Sequence, residues 1–140
     1  MRVLLSVLMA GLCSACMAGE PTVELRGQHF SVDLADTRAK QTLGLMFREE
    51  MPQDHGMLFI FPNEAPRSFW MKNTRIALDI LYFDAEHKLV SASLDTPPCR
   101  TPSCPSYPSK APAKYVLELN AGRASELGVE LGDSLSIDID

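Results

Sequence analysis

Val23 and Leu25, then Phe30, Val32 and Leu34, alternate with polar neighbours, the two-residue period of strands with one buried face. Arg26-Gly27-Gln28 between them reads as a hairpin turn. The period then changes. Over Thr37–Leu43, Ala39 and Leu43 share one helical face, with Asp36 expected as N-cap and Gly44 as the stop. Gly56 to Phe61 is an unbroken apolar run closed by Pro62, which predicts a buried strand. Ser68–Met71 and Ile76–Phe83 predict two more, joined by Lys72-Asn73-Thr74-Arg75, and Asp84-Ala85-Glu86-His87 turns into another over Leu89–Leu94. Tyr115–Leu119 resumes strand. Asn120 is expected to cap a short helix carrying Ala121, Ala124 and Leu127, which Gly128 ends. Leu135, Ile137 and Ile139 alternate as a last strand. Short strands with two small helices predict an α+β domain, mostly β and compact.

Ahead of this domain the pattern is different. Arg2 precedes an apolar stretch from Val3 to Leu12 that only Ser6 and Gly11 interrupt, and the small-residue segment Cys13-Ser14-Ala15-Cys16 follows. These are the three parts of an export signal. The apolar run is half the roughly twenty residues a membrane span needs. Two modes of cleavage fit. In the lipoprotein mode Ser14-Ala15 precedes Cys16, which would carry the lipid, although Cys13 stands where leucine is usual. In the ordinary mode cleavage follows Ala18. The lipoprotein mode is preferred, and Met17 in place of aspartate after the cysteine then directs the protein to the outer membrane. Residues 1–18 are thus expected to be a signal segment, and residues 19–140 a single periplasmic domain, reached after a brief linker at Glu20 to Thr22.

Composition changes this picture little. Apolar residues at 46% and charged residues at 22% belong to a globular chain and set bulk disorder aside. The net charge of −5 removes nucleic acid as the main partner, because phosphate binding needs a surplus of Lys and Arg. Membrane contact is expected only through a lipid at Cys16.

Asp95 to Pro112 holds six of the ten prolines and should contain neither helix nor inner strand. Cys99 and Cys104 lie in it. In an oxidising compartment such a pair normally closes, and by loop length the bridge contributes about 2 kcal/mol, so its main effect is to shape the loop. The spacing is not Cys-x-x-Cys, which disfavours redox catalysis. Zinc is disfavoured because His29, His55 and His87 are scattered.

Met46-Phe47-Arg48, Gly56-Met57-Leu58-Phe59 and Phe69-Trp70-Met71-Lys72-Asn73-Thr74 together resemble a known family. The likeness continues through Leu78-Asp79-Ile80, Pro97-Pro98-Cys99, Cys104-Pro105-Ser106-Tyr107 and Glu118-Leu119-Asn120-Ala121-Gly122. The chain is similar to the domain-of-unknown-function family numbered 192, from roughly Val23 to Ile137. That resemblance implies a small β-rich, barrel-like α+β domain, often behind an export signal. It implies no activity and carries no catalytic residues.

The side chains that remain as candidates are polar and aromatic. Met46, Met51, Met57 and Met71 with His55 could hold Cu(I), but Met57 and Met71 sit in apolar runs where thioethers fill core gaps. Gly-x-Ser-x-Gly, His-Glu-x-x-His and phosphate-binding glycine loops are absent from the sequence. Glu49-Glu50 reads as a solvated turn. The preferred binding face comprises Arg48, Trp70, Lys72, Asn73 and Asp79 around a shallow pocket. If Phe69 and Met71 face the core, Trp70 points away from it. Asp79 interrupts an apolar strand and is expected to pair with Arg48 or Lys72, either as a structural ion pair or as part of a ligand pocket.

Function is therefore expected to be non-catalytic binding of a small ligand or envelope protein, with no cofactor. The opposing expectation is an enzyme on an envelope substrate, glycan-related or redox-linked. A convergent pocket holding a strongly shifted acid would favour the enzyme, and a shallow ion-paired surface would favour binding.

Overall fold

The computed structural model describes residues 19–140; the expected signal segment and Cys16 lie outside the described residues. Strands β1 (Thr22–Leu25) and β2 (Gln28–Ala35) form the predicted hairpin. Its turn runs through Arg26 and Gly27, both at positive φ, as a tight two-residue connection requires. Helix α1 (Arg38–Leu43) follows, then β3 (His55–Ala65), β4 (Ser68–Trp70), β5 (Leu78–Phe83) and β6 (Leu89–Thr96). The chain ends with β7 (Ser106–Pro108), β8 (Ala113–Asn120), α2 (Arg123–Leu127) and β9 (Leu135–Asp138).

Seven strands form one sheet in the order β6-β5-β8-β3-β2-β1-β9, parallel only between β2 and β3. Its two edges approach where Lys88 bridges Ser134. There the Leu89 N–H donates to the Asp133 carbonyl at 2.8 Å and the Leu135 N–H to the His87 carbonyl at 2.9 Å. The sheet is therefore curled into a half-barrel, with the mostly β character read from the sequence.

Both faces of the central strands are covered. In β5 the alternation divides the side chains cleanly: Leu81 and Phe83 enter a cluster inside the curl with Phe30, Leu58 and Leu117. Leu78, Ile80 and Tyr82 enter a second cluster on the outer face with Leu45, Phe59 and Met71. The outer cluster is roofed by the chain after α1, which contributes Leu45 and Met51, and by a separate two-stranded sheet of β4 and β7. Phe69 anchors that roof, its ring edge-on to Phe59 at 4.9 Å and to Tyr82 at 5.9 Å.

Four local expectations are corrected. Thr37, not Asp36, caps α1, its hydroxyl accepting from the Lys40 N–H, while the Asp36 carboxylate takes the Lys40 ammonium instead. Strand β3 runs past Pro62, because its pairing with β8 breaks between Ile60 and Ala65 and no ladder donor is needed there. The proline-rich connection contains β7, paired with β4 in a contact that no local pattern announces. Asn120 ends β8 rather than capping α2; its side-chain amide donates to the Met51 carbonyl at 2.7 Å, and Gly122 is the N-cap.

Gly56 lets β3 and β8 close. A β-carbon there would lie 2.6 Å from the Glu118 carbonyl oxygen and 2.8 Å from Leu119 Cδ2. Backbone cannot yield as a side-chain tip can, so Gly56→Ala is expected to cost about 1–3 kcal/mol, read as a lower urea midpoint at unchanged slope. An unaltered midpoint would mean that the two strands part freely.

Candidate functional site

The outer face of β8 carries a carboxyl group where its neighbours are apolar. Glu118 lies between Met57 on β3 and Ile80 on β5 and is 4% exposed. Its carboxyl forms no hydrogen bond or ion pair with any of the described residues, and what exposure it has is to a narrow slot under the roof. The slot encloses about 30 Å³, room for one or two waters. Gln41, Gly44 and Leu45 from the end of α1 and the chain after it form one wall, Phe59 and Phe69 another, and Trp70 and Thr74 the rim. A groove of about 290 Å³ continues outward from it along Arg38, Phe61, Phe69 and Trp70.

Burial without a counter-charge pushes Glu118 up to about 8, since the ionised form would be unsolvated. Tyr82 stands on the same face. Burial first, and then the charge of Glu118, raise its phenol as well, and its hydroxyl is committed to the Tyr107 carbonyl. The slot thus holds a carboxylic acid that is mainly protonated at neutral pH, next to aromatic rings.

The residues singled out from the sequence are only partly brought together. Trp70 points away from the core as the alternation required, is 49% exposed, and lines both slot and groove. The Lys72 ammonium lies 5.0 Å from its ring centroid. Asn73 adopts positive φ in the adjacent turn and its carbonyl accepts from the Phe47 N–H at 2.8 Å. Leu43, Phe47 and Trp70 leave large apolar surfaces exposed in this region.

Arg48 and Asp79 do not join them. The Arg48 guanidinium binds Asp33 at 2.6 Å. Asp79 is fully buried on the inner face, opposite to Glu118, where its carboxylate accepts from the N–H groups of Asp95 and Ala124, each at 2.9 Å. The expected pairing of Asp79 with Arg48 or Lys72 is therefore replaced by two backbone donors, one of them in the first turn of α2.

Asp33 belongs to a chain of polar contacts that the sequence did not disclose. Ser31 Oγ lies 2.7 Å from His55 Nδ1, and His55 Nε2 lies 3.2 Å from Asp33 Oδ2. The parallel register of β2 and β3 puts Ser31 beside His55, with Asp33 two residues on along the same face. Burial raises the Asp33 carboxyl, but hydrogen bonds from Arg48 and His55 outweigh it and hold it below the usual range. With one oxygen shared between Arg48 and His55, Asp33 serves as an acceptor in a half-exposed ionic network.

Cys99 and Cys104 form the expected disulfide, with Cα atoms 5.6 Å apart, and the Cys99 N–H donates to the Met71 carbonyl. Met51, Met57 and Met71 are buried in the outer cluster.

These features define a class: a small, mostly β domain with a curled seven-stranded sheet and a narrow acid-floored slot under its roof. Residues 21–137 match the family DUF192 (Uncharacterized ACR), and the chain belongs to that family. The UPF0127 protein PF1050 of Pyrococcus furiosus is 29% identical over 109 residues, which cover 74% of this chain and 84% of that protein. A crystal structure of a protein of unknown function from Novosphingobium aromaticivorans is similar with a TM-score of 0.76 at 31% identity, over 94% of this chain and 93% of that one. A second, from Sinorhizobium meliloti 1021 and proposed to be a transcription regulator, gives a TM-score of 0.74 at 34% identity, over 84% of this chain and 91% of that one.

Proposed function

We propose that this domain is a non-catalytic binding module of the cell envelope that takes the end of a small ligand into the slot floored by Glu118. The observation that carries the reading is the carboxyl itself. A buried acid with no partner costs several kcal/mol of folding stability when ionised, and a packed apolar residue would relieve that cost. A ligand that satisfies it gives the group a use. Trp70 and the groove beyond it supply apolar contact for the rest of the molecule.

Trp70 supplies the test, because it is the chain's single tryptophan and stands at the rim. Trp70→Ala is expected to cost under about 1.5 kcal/mol of stability, since half of the side chain is already in water, yet to weaken ligand binding about tenfold or more. Calorimetric titration of parent and variant with compounds that co-purify measures the second effect. Equal affinities would remove Trp70 from the site.

A second reading makes the domain an enzyme on an envelope substrate, with Glu118 as general acid. Its value of about 8 supports that reading, since a catalytic acid works best near the ambient pH. Against it, the slot lining offers no titratable residue besides Glu118 and no nucleophile beyond threonine hydroxyls already hydrogen-bonded. Regulation of transcription, the role proposed for one structural relative, is not adopted for this chain, whose net charge is −5.

The envelope location rests on the apolar run after Arg2 and on Ser14-Ala15-Cys16. The mature protein recovered from membranes is expected to begin at lipid-bearing Cys16, as its intact mass would report. A mass beginning at Gly19 without acyl groups would instead make it a freely secreted periplasmic protein.

A further inference from the structure

The lining of the slot at Glu118 is partly apolar, and the polar side-chain atoms it leaves unspent are almost all hydrogen-bond acceptors. The Gln41 amide nitrogen is spent on the carbonyls of Ala35 at 3.1 Å and Ile60 at 2.9 Å, so its unused polar atom is Oε1. The Thr42 hydroxyl donates to the Arg38 carbonyl and the Thr74 hydroxyl to that of Lys72, leaving only lone pairs on each. The N–H groups of Gly44, Met46 and Thr74 are bonded to the carbonyls of Lys40, Leu43 and Met71. Among the side chains of the lining, the indole N–H of Trp70 is the one donor without a partner apart from the acid itself, and it stands at the rim.

We propose that the slot takes a primary ammonium group carried on a short aliphatic stem, with Glu118 as its counter-ion. This names the ligand class for the binding site proposed above and rests on that reading. An ammonium has three donors and no acceptor, the complement of such a lining. The rings of Phe59, Phe69 and Trp70 attract a cation through their π electrons and give the stem an apolar wall. Size narrows the choice: about 30 Å³ admits a compact ammonium, whereas a guanidinium plane or a quaternary ammonium exceeds it. A carboxylate or phosphate finds one donor at the floor, the proton of Glu118 itself, and once that proton leaves it meets a like charge with no donor to offset it. Lys72, the cation beside Trp70, does not line the slot and leaves the floor free.

The proton balance follows from what faces Glu118. Met57 and Ile80 flank it, the Tyr82 phenol is engaged with the Tyr107 carbonyl, and the lining holds no cation to keep the carboxyl ionised. A protonated Glu118 therefore gives its proton to solvent as the ammonium enters, leaving a carboxylate–ammonium pair. No covalent bond forms.

Titration calorimetry of the mature domain with n-butylamine, butan-1-ol and butyrate at neutral pH, each in two buffers of different ionisation enthalpy, tests this. The amine is expected to bind at least about tenfold more tightly than the alcohol and to release close to one proton. Butyrate is expected not to bind. Glu118→Gln should lose that preference and the proton release, binding the amine no more tightly than the alcohol. If the alcohol or butyrate binds as well as the amine, or Glu118→Gln leaves amine binding intact, the ammonium assignment fails while the binding site stands. If none of the three binds or alters Trp70 fluorescence, the binding site at Glu118 fails with it.

Discussion

Glu118→Gln is expected to make the domain progressively more stable than its parent as pH rises from about 4.5 to about 8, reaching a gain of order 4 kcal/mol. The sign follows from proton binding. In the unfolded chain Glu118 titrates near its ordinary value of 4.5, whereas in the fold burial holds it at about 8. Between those values the native state keeps a proton that the unfolded chain has released. Raising the pH therefore favours unfolding, by up to about 1.4 kcal/mol per pH unit for one group. Above the upper value the loss is complete. Glutamine has nearly the same shape and no charge, so it removes the slope while leaving the packing between Met57 and Ile80. Asp33, Asp36 and Asp133 are all held below the ordinary range and finish titrating beneath this window. Urea denaturation of both proteins across the window checks the claim. Parallel curves would show that Glu118 does not exchange its proton there.

Asp79→Ala is expected to destabilise the domain by about 4 kcal/mol, because it strands two backbone donors at once. The Asp95 N–H and the Ala124 N–H each lie 2.9 Å from a different carboxylate oxygen. Asp79 is 1% exposed and Ala124 equally buried, so water cannot replace either bond without opening the inner cluster. Ala124 lies in the first turn of a helix of five residues whose N-cap, Gly122, has no side chain to offer. Asp79 supplies from β5 the acceptor that a capping residue would ordinarily provide. Chemical denaturation gives the magnitude, and amide hydrogen exchange gives the place: Ala124 and its neighbours in α2 should lose protection first. A variant with parental stability would show that those N–H groups find other partners. Asp79→Asn should fall between the two, retaining one acceptor and turning a donor toward a donor.

Trp70 and Asp79 show why some of the candidate site was legible in the chain and some was not. The outward direction of Trp70 follows from strict alternation beside Phe69 and Met71, a property of strand geometry alone. Asp79 was noticeable as a charge within an apolar strand, but its partners were not, since both are backbone groups supplied by segments 16 and 45 residues away. Glu118 carried the same signal, a charged residue within the apolar run Tyr115–Leu119. Reading it as a site required knowing that the outer face of β8 is roofed rather than wet. That depends on the pairing of β4 with β7 and on the chain between α1 and β3. The Ser31–His55–Asp33 contacts likewise depend on the register of two parallel strands that are not neighbours in the chain.

By itself the amino-acid sequence determined what short-range sterics and periodicity control. These are the strands and their alternation, the tight turn at Arg26-Gly27, the glycine stops after both helices and the closure of Cys99 with Cys104 across a short loop. Tertiary structure alone decided which carboxyl groups are dry and what they face. Asp79 and Glu118 are both acids within apolar strands, yet one meets two N–H groups inside the curl and the other a narrow slot outside it. The difference lies in solvation. A buried charge is stabilised only by donors within hydrogen-bond reach, and which donors come within reach is fixed by how distant segments pack.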